Sequence, residues 1–198
     1  MRSICVFAAS SSGTSQLARS AAYDLGKALA LRDLTLVYGG ARVGLMGELA
    51  DGAISAGGTV IGVMPRSLVD KEIAHGGLSE LHIVETLHER KLMMSDISDG
   101  FVALPGGPGT FEELFEQWTW AQLGYHNKPC GILEIDGFFD PLKELIGQMG
   151  RYGYLSESHA DMIVFDAVPA SLIDRFFHYR APQPKWIKNE QPLAQLSK

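Results

Sequence analysis

At 198 residues the chain is long enough for one domain with a substantial core, and its formal net charge of −6, with no lysine or arginine run, argues against a nucleic-acid-binding face. Hydrophobic residues at 46% and charged residues at 20% are the balance of a soluble globular protein. No apolar run approaches the roughly 20 residues of a membrane span, so no membrane partner is expected. The two cysteines, Cys5 and Cys130, lie in apolar runs and are expected as buried free thiols in a reducing compartment. The N-terminus begins a strand too soon for a signal peptide, and the expected location is cytoplasmic.

Apolar runs at residues 4–8, 35–38, 60–64, 81–84, 101–104, 131–135 and 162–165 read as strands. Between them, helical spacing falls at residues 16–32, 45–56, 88–99, 110–123, 141–149 and 171–179. Runs such as Cys5-Val6-Phe7-Ala8 and Phe101-Val102-Ala103-Leu104 are apolar on both faces, which suits a parallel sheet covered by helices. The alternation predicts an α/β fold: a Rossmann-like, doubly wound, mainly parallel sheet with helices on both faces. Residues 1–180 read as a single domain, and residues 181–198, with Pro182, Pro184 and Pro192, as an extended C-terminal arm.

Ligands in such folds sit at the carboxyl ends of the strands, where three unusual loops fall. The first, residues 9–15, is rich in serine and either binds phosphate or is an ordinary strand-to-helix turn. The second, residues 38–47, has neither the Lys-Ser/Thr end of an ATPase phosphate loop nor the glycine spacing of a dinucleotide site. The third, residues 104–113 with sequence LPGGPGTFEE, carries three glycines between a strand and a helix. Glycines there allow a tight turn and close approach of a ligand, and the following helix offers free N–H groups and its positive dipole end. It reads as a phosphate cradle with Glu112 and Glu113 at the rim. Thr110 and Glu113 also match a T-x-x-E capping box, which requires no function. The entropic cost of so many glycines favours the cradle, because a plain helix start does not need them.

Arg90 and Lys91 open another helical run. Successive helical positions diverge by about 100°, so within one subunit both cannot aim at a single point. Either one reaches the site while the other faces a partner or solvent, or both are solvated surface cations. The six histidines show no metal-ligand spacing, and no metal site is expected. In the 110–123 run, Phe111, Leu114, Phe115, Trp118 and Ala121 form one apolar stripe, and Trp120 falls on another face. That second aromatic face is expected either to pack on a second copy, giving a homodimer, or to be covered by Tyr125 or the C-terminal arm.

Y-G-G-x-x-V-G-L-M-G at residues 38–47, E-R-K at 89–91 and P-G-G-x-G-T-x-x-E at 105–113 resemble the Lonely Guy family. That family comprises the cytokinin riboside 5′-monophosphate phosphoribohydrolases, many once labelled possible lysine decarboxylases. The similarity runs from about residue 4 to 179 and includes W-T-W-A-Q-L-G-x-H-x-K-P at 118–129. The chain departs from the family pattern at Ala8-Ala9, where Cys-Gly is common, and at Ala41, where a third glycine is common.

The resemblance implies a homodimeric enzyme that cleaves the N-glycosidic bond of adenosine 5′-monophosphate or its N6-substituted forms, releasing free base and ribose 5-phosphate. Arg90 and Glu113 would be the catalytic pair. Gly107, Pro108, Gly109 and Thr110 would hold the 5′-phosphate, with Gly106 beside them. Glu72, Lys91, Glu112 and Thr119 would line the nucleotide site. Breaking a ribosyl C–N bond builds positive charge on the sugar, which a fixed carboxylate would stabilise while activating water. No metal or organic cofactor is expected. The rival expectation is a nucleotide-binding sensor or carrier of the same fold.

Overall fold

The computed structural model describes residues 1–69, 71 and 73–185. Seven strands run in chain order: β1 (Ser3–Phe7), β2 (Thr35–Tyr38), β3 (Val60–Pro65), β4 (Glu80–Val84), β5 (Phe101–Ala103), β6 (Cys130–Leu133) and β7 (Ile163–Asp166). They form one parallel sheet in the order β4-β3-β2-β1-β5-β6-β7. The order reverses between β1 and β5, so the loops after these strands diverge and leave a crevice there. The loops remain tied at their roots, where Leu104 N–H donates to the Phe7 carbonyl (2.9 Å) and Ala9 N–H to the Pro105 carbonyl (3.3 Å).

Strand alternation divides the core into two layers. Ile4, Val6, Leu36, Val102 and Leu133 face one way, packing on α1 (Gln16–Ala30), α2 (Gly44–Ser55) and α8 (Pro169–Phe177). Cys5, Phe7, Val37, Phe101 and Ile132 face the other, packing on α4 (Leu87–Asp96), α5 (Pro108–Leu123) and α6 (Asp140–Arg151). The expected doubly wound α/β fold is therefore observed. Two four-residue helices, α3 (Arg66–Val69) and α7 (Glu157–Ala160), were not expected from the sequence. Each is about one turn, too short to show a hydrophobic period. Cys5 and Cys130 are buried free thiols, and burial pushes the Cys130 thiol up to about 12.

Two local expectations are corrected. The predicted helix at 110–123 begins earlier: Gly107 is the N-cap and Pro108 opens the first turn. Thr110 and Glu113 therefore lie inside the helix, and no side chain caps it. A reciprocal cap forms instead at α4, where the Thr86 hydroxyl accepts from Glu89 N–H (3.1 Å) and the Glu89 carboxylate accepts from Glu85 N–H (2.9 Å). Of the C-terminal arm, residues 181–185 carry no helix or strand, and Pro184 and Lys185 meet the end of α5 at Gly124 and Gln122. There Lys185 N–H donates to the Gln122 carbonyl (2.9 Å).

Candidate active site

A cavity of about 470 Å³ opens at the carboxyl ends of β1, β2, β3 and β5. Ala8 to Ser11 form one wall, Gly39, Ala41 and Met46 a second, and Gly107 to Thr110 a third. Met64, Leu68 and Ile73 add an apolar side, and Arg90 and Glu113 supply the charged groups. Ala8, Ala9 and Ala41, where the chain departs from the family pattern, thus all lie on the cavity wall.

Glu113 belongs to the buried stripe of α5, together with Thr110, Leu114, Gln117, Trp118 and Ala121. The stripe is anchored on both sides. Trp118 Nε1–H donates to the His159 carbonyl (2.9 Å), and Ser95 Oγ–H donates to Gln117 Oε1 (2.9 Å). With Gly107 as the N-cap, Thr110 stands at N3 and Glu113 a turn further in on the buried face, so the two do not form a capping box.

Arg90 lies in the first turn of α4, where its N–H donates to the Thr86 carbonyl (3.1 Å). Its Nη1 donates to Glu113 Oε1 at 2.7 Å, and its Nε donates to the Val63 carbonyl at 3.0 Å. Both side chains are largely enclosed, Arg90 being 15% and Glu113 11% exposed. Burial pushes the Glu113 carboxyl above the ordinary glutamate range; the Arg90 charge and hydrogen bond oppose this without cancelling it.

The start of α5 completes the site. Gly107 makes no side-chain cap, and the first helical turn has N–H groups without intrahelical partners. These groups and the helix dipole suit an anion. A cavity of about 330 Å³ adjoins, sharing Ala9, Ser11 and Gly107 with the first and lined also by Gly106. In the serine-rich loop, Ser15 caps α1, its hydroxyl accepting from Ala18 N–H (3.2 Å).

Arg90, Gly107, Pro108, Gly109, Thr110 and Glu113 are thus brought to one cavity, with Gly106 at its border. Lys91, Glu112 and Thr119 are not among the residues lining it. Lys91 Nζ donates to Glu112 and, at 3.0 Å, to Glu116, so the neighbouring cation grips the same helix on a different side. Burial alone would depress that ammonium, but its two carboxylate partners outweigh burial and raise it. Thr119 is exposed on α5. Glu72 lies outside the described residues. Sequence reasoning missed the Val63 carbonyl as a support for Arg90, since backbone groups leave no residue signature. It also missed the Met46 and Met64 wall, because isolated methionines in apolar runs look like core.

Among the described residues, no cluster of three or more histidine, cysteine, aspartate or glutamate side chains is arranged to hold a metal ion. Among the described residues, no lysine lines the cavity.

Residues 46–176 match the family described as possible lysine decarboxylase. A probable cytokinin riboside 5′-monophosphate phosphoribohydrolase of Oryza sativa subsp. japonica, LOGL2, is 41% identical over 197 residues, covering 99% of this chain and 81% of the relative. The cytokinin riboside 5′-monophosphate phosphoribohydrolase of Rhodococcoides fascians is 44% identical over 164 residues, covering 82% of this chain and 83% of the relative. Among solved structures, the molybdenum cofactor carrier protein of Chlamydomonas reinhardtii shares the fold, with a TM-score of 0.68 at 23% identity over 90% of this chain and 99% of that one. A family match over most of the sequence and relatives aligned over more than four-fifths of their own length lead to one conclusion: the chain belongs to the Lonely Guy family, that of the cytokinin riboside 5′-monophosphate phosphoribohydrolases.

Proposed function

We propose that this protein is a phosphoribohydrolase that hydrolyses the N-glycosidic bond of adenosine 5′-monophosphate or its N6-substituted forms. The observation that carries this reading is the Arg90–Glu113 pair, which shares a cavity with the uncapped start of α5. The relatives named for this activity support it.

In the reaction, the 5′-phosphate rests on the N–H groups of Gly107, Gly109 and Thr110, which fixes the ribose relative to Glu113. As the C1′–N bond lengthens, the bonding pair leaves with the base and positive charge builds on the sugar. The Glu113 carboxylate stabilises that charge and takes a proton from the attacking water, whose oxygen bonds to C1′. The departing base gains a proton, and ribose 5-phosphate is the second product. Arg90 keeps Glu113 ionised and oriented.

A pyridoxal-dependent decarboxylase needs a lysine for its Schiff base. Lys91 and Lys128 are instead engaged outside the cavity, Lys128 Nζ donating to the Ser95 carbonyl at 2.7 Å. Lys91, Glu112, Thr119 and Glu72 are proposed to contribute to the nucleotide site in the assembled protein. The assembly proposed is a homodimer through the exposed side of α4 and α5, where Leu92 is 52% and Tyr125 75% exposed beside Trp120. No helix among the described residues is long and apolar enough to cross a membrane, and the free buried thiols support a cytoplasmic location.

The test is chromatographic assay of free base from AMP and N6-isopentenyl-AMP, with Glu113→Gln protein alongside. Base and ribose 5-phosphate from wild type are expected. Nucleotide binding with no base released would point to a carrier of the same fold.

A further inference from the structure

We propose that Gly39 is a positioning residue for the reaction: the lack of a side chain there lets the Arg90 guanidinium pass the end of β2 and reach Glu113. This rests on the phosphoribohydrolase reading and adds to it a role for a residue outside the catalytic pair.

Gly39 and Gly40 follow β2, yet the two glycines are needed for different reasons. Gly40 has φ of +79°, a conformation that side chains other than glycine rarely adopt. Gly39 is not among the positive-φ residues, so its backbone would accept alanine. What forbids a side chain at Gly39 is space. A Cβ built there overlaps Arg90 Nη2 and would sit 3.0 Å from Met46 Sδ and 3.5 Å from Arg90 Cζ.

The guanidinium has little freedom to step aside. Its Nε is held by the Val63 carbonyl at 3.0 Å and its Nη1 by Glu113 at 2.7 Å. One nitrogen thus binds the end of β3, a second binds α5, and the third lies over Gly39. A methyl group at position 39 must displace the guanidinium, and with both other nitrogens held that displacement is drawn from these two hydrogen bonds. The phosphate cradle at residues 107–110 belongs to another wall and is left in place.

The experiment compares wild type, Gly39→Ala, Arg90→Lys and the double variant, in kinetics and by ¹³C NMR titration of the Glu113 carboxyl. Gly39→Ala is expected to lower kcat by about 10- to 100-fold while KM moves by less than about threefold, because misplacement of a positioned group acts on the transition state. In the Arg90→Lys background the same substitution adds less than about a threefold loss, as expected of residues that act through one another. The Glu113 titration moves to higher pH in Gly39→Ala, because the cation that lowers it has moved away. Wild-type kcat in Gly39→Ala, an equal loss in both backgrounds, or an unmoved Glu113 titration each overturns the proposal. If Gly39→Ala does not fold, Gly39→Ala/Arg90→Ala, which lacks the obstructing guanidinium, must fold; its failure also overturns it. A wild type that releases no base removes the hydrolase reading alone, and the Glu113 titration still decides the role of Gly39.

Discussion

Arg90 and Glu113 stand 23 positions apart in the sequence but meet at 2.7 Å, each on a different helix of the same sheet face. The arginine is braced from behind by the Val63 carbonyl, so it approaches the carboxylate from one side. Its hydrogen bond engages Oε1, and among the described residues no hydrogen bond is made to Oε2. A carboxylate oriented by one oxygen retains the other for the sugar or the attacking water.

Glu113→Gln should therefore abolish most turnover while preserving binding. Loss of a positioned general base costs about 10²- to 10⁴-fold in kcat. Calorimetric titration of the variant with AMP should give a Kd close to that of wild type. Turnover near the wild-type level would remove Glu113 from the chemistry.

The pH profile carries a signed expectation. Burial raises the Glu113 carboxyl, with Arg90 holding it partly back. If the ionised form is the active one, kcat/KM falls as pH drops through this raised value. The acid limb should then lie above the ordinary glutamate midpoint of about 4.3. Arg90→Gln removes the opposing charge, so residual activity should show its acid limb at still higher pH. A limb at or below the ordinary midpoint in wild type would contradict the role given to burial.

The cradle can be tested without disturbing the fold. A Cβ added at Gly107 or Gly109 meets no protein atom within 4 Å, and neither glycine has positive φ. Gly109→Ala, inside α5, should even add about 0.5–1 kcal/mol of stability through helix propensity. The same methyl group occupies space where a phosphate is proposed to sit. The expected outcome is an unchanged or higher Tm with KM raised by about tenfold or more, a penalty near 1.4 kcal/mol. Unchanged KM would move the phosphate elsewhere.

Trp118 links α5 to α7 through its indole N–H and the His159 carbonyl. Trp118→Phe keeps most of the apolar contact but leaves that carbonyl without its donor. A loss of about 1–3 kcal/mol is expected, read from urea unfolding. A loss below the error of that measurement would show that water replaces the indole.

Trp120 tests the proposed assembly. Light scattering should report a dimer for wild type, and Trp120→Glu should shift it toward monomer by placing a charge in an apolar contact. Equal masses for the two proteins would place any dimer contact elsewhere.

Much of the architecture was legible in the sequence. Doubly apolar strands alternating with helical spacing required a covered parallel sheet, because each strand had to bury both faces. Glycine clustering after strands marked the loops that line the cavity, since glycine leaves the backbone open to close approach. The residue types of the proposed catalytic pair were visible too, though local spacing left Glu113 equally consistent with a helix cap.

The choices between neighbouring residues belonged to the tertiary structure. Arg90 and Lys91 are adjacent cations, and only the packing of α4 against β3 and α5 decided that Arg90 enters the cavity while Lys91 pairs with Glu112 and Glu116. With Gly107 as the N-cap of α5, Glu113 is no cap, and the packing of that helix makes it a buried acid. The spatial need for Gly39 arises from a side chain 51 positions later. Local sequence sets backbone preference and hydrophobic period. Which polar group faces which depends on helix rotation and on contacts between distant segments, and these exist only once the sheet has formed.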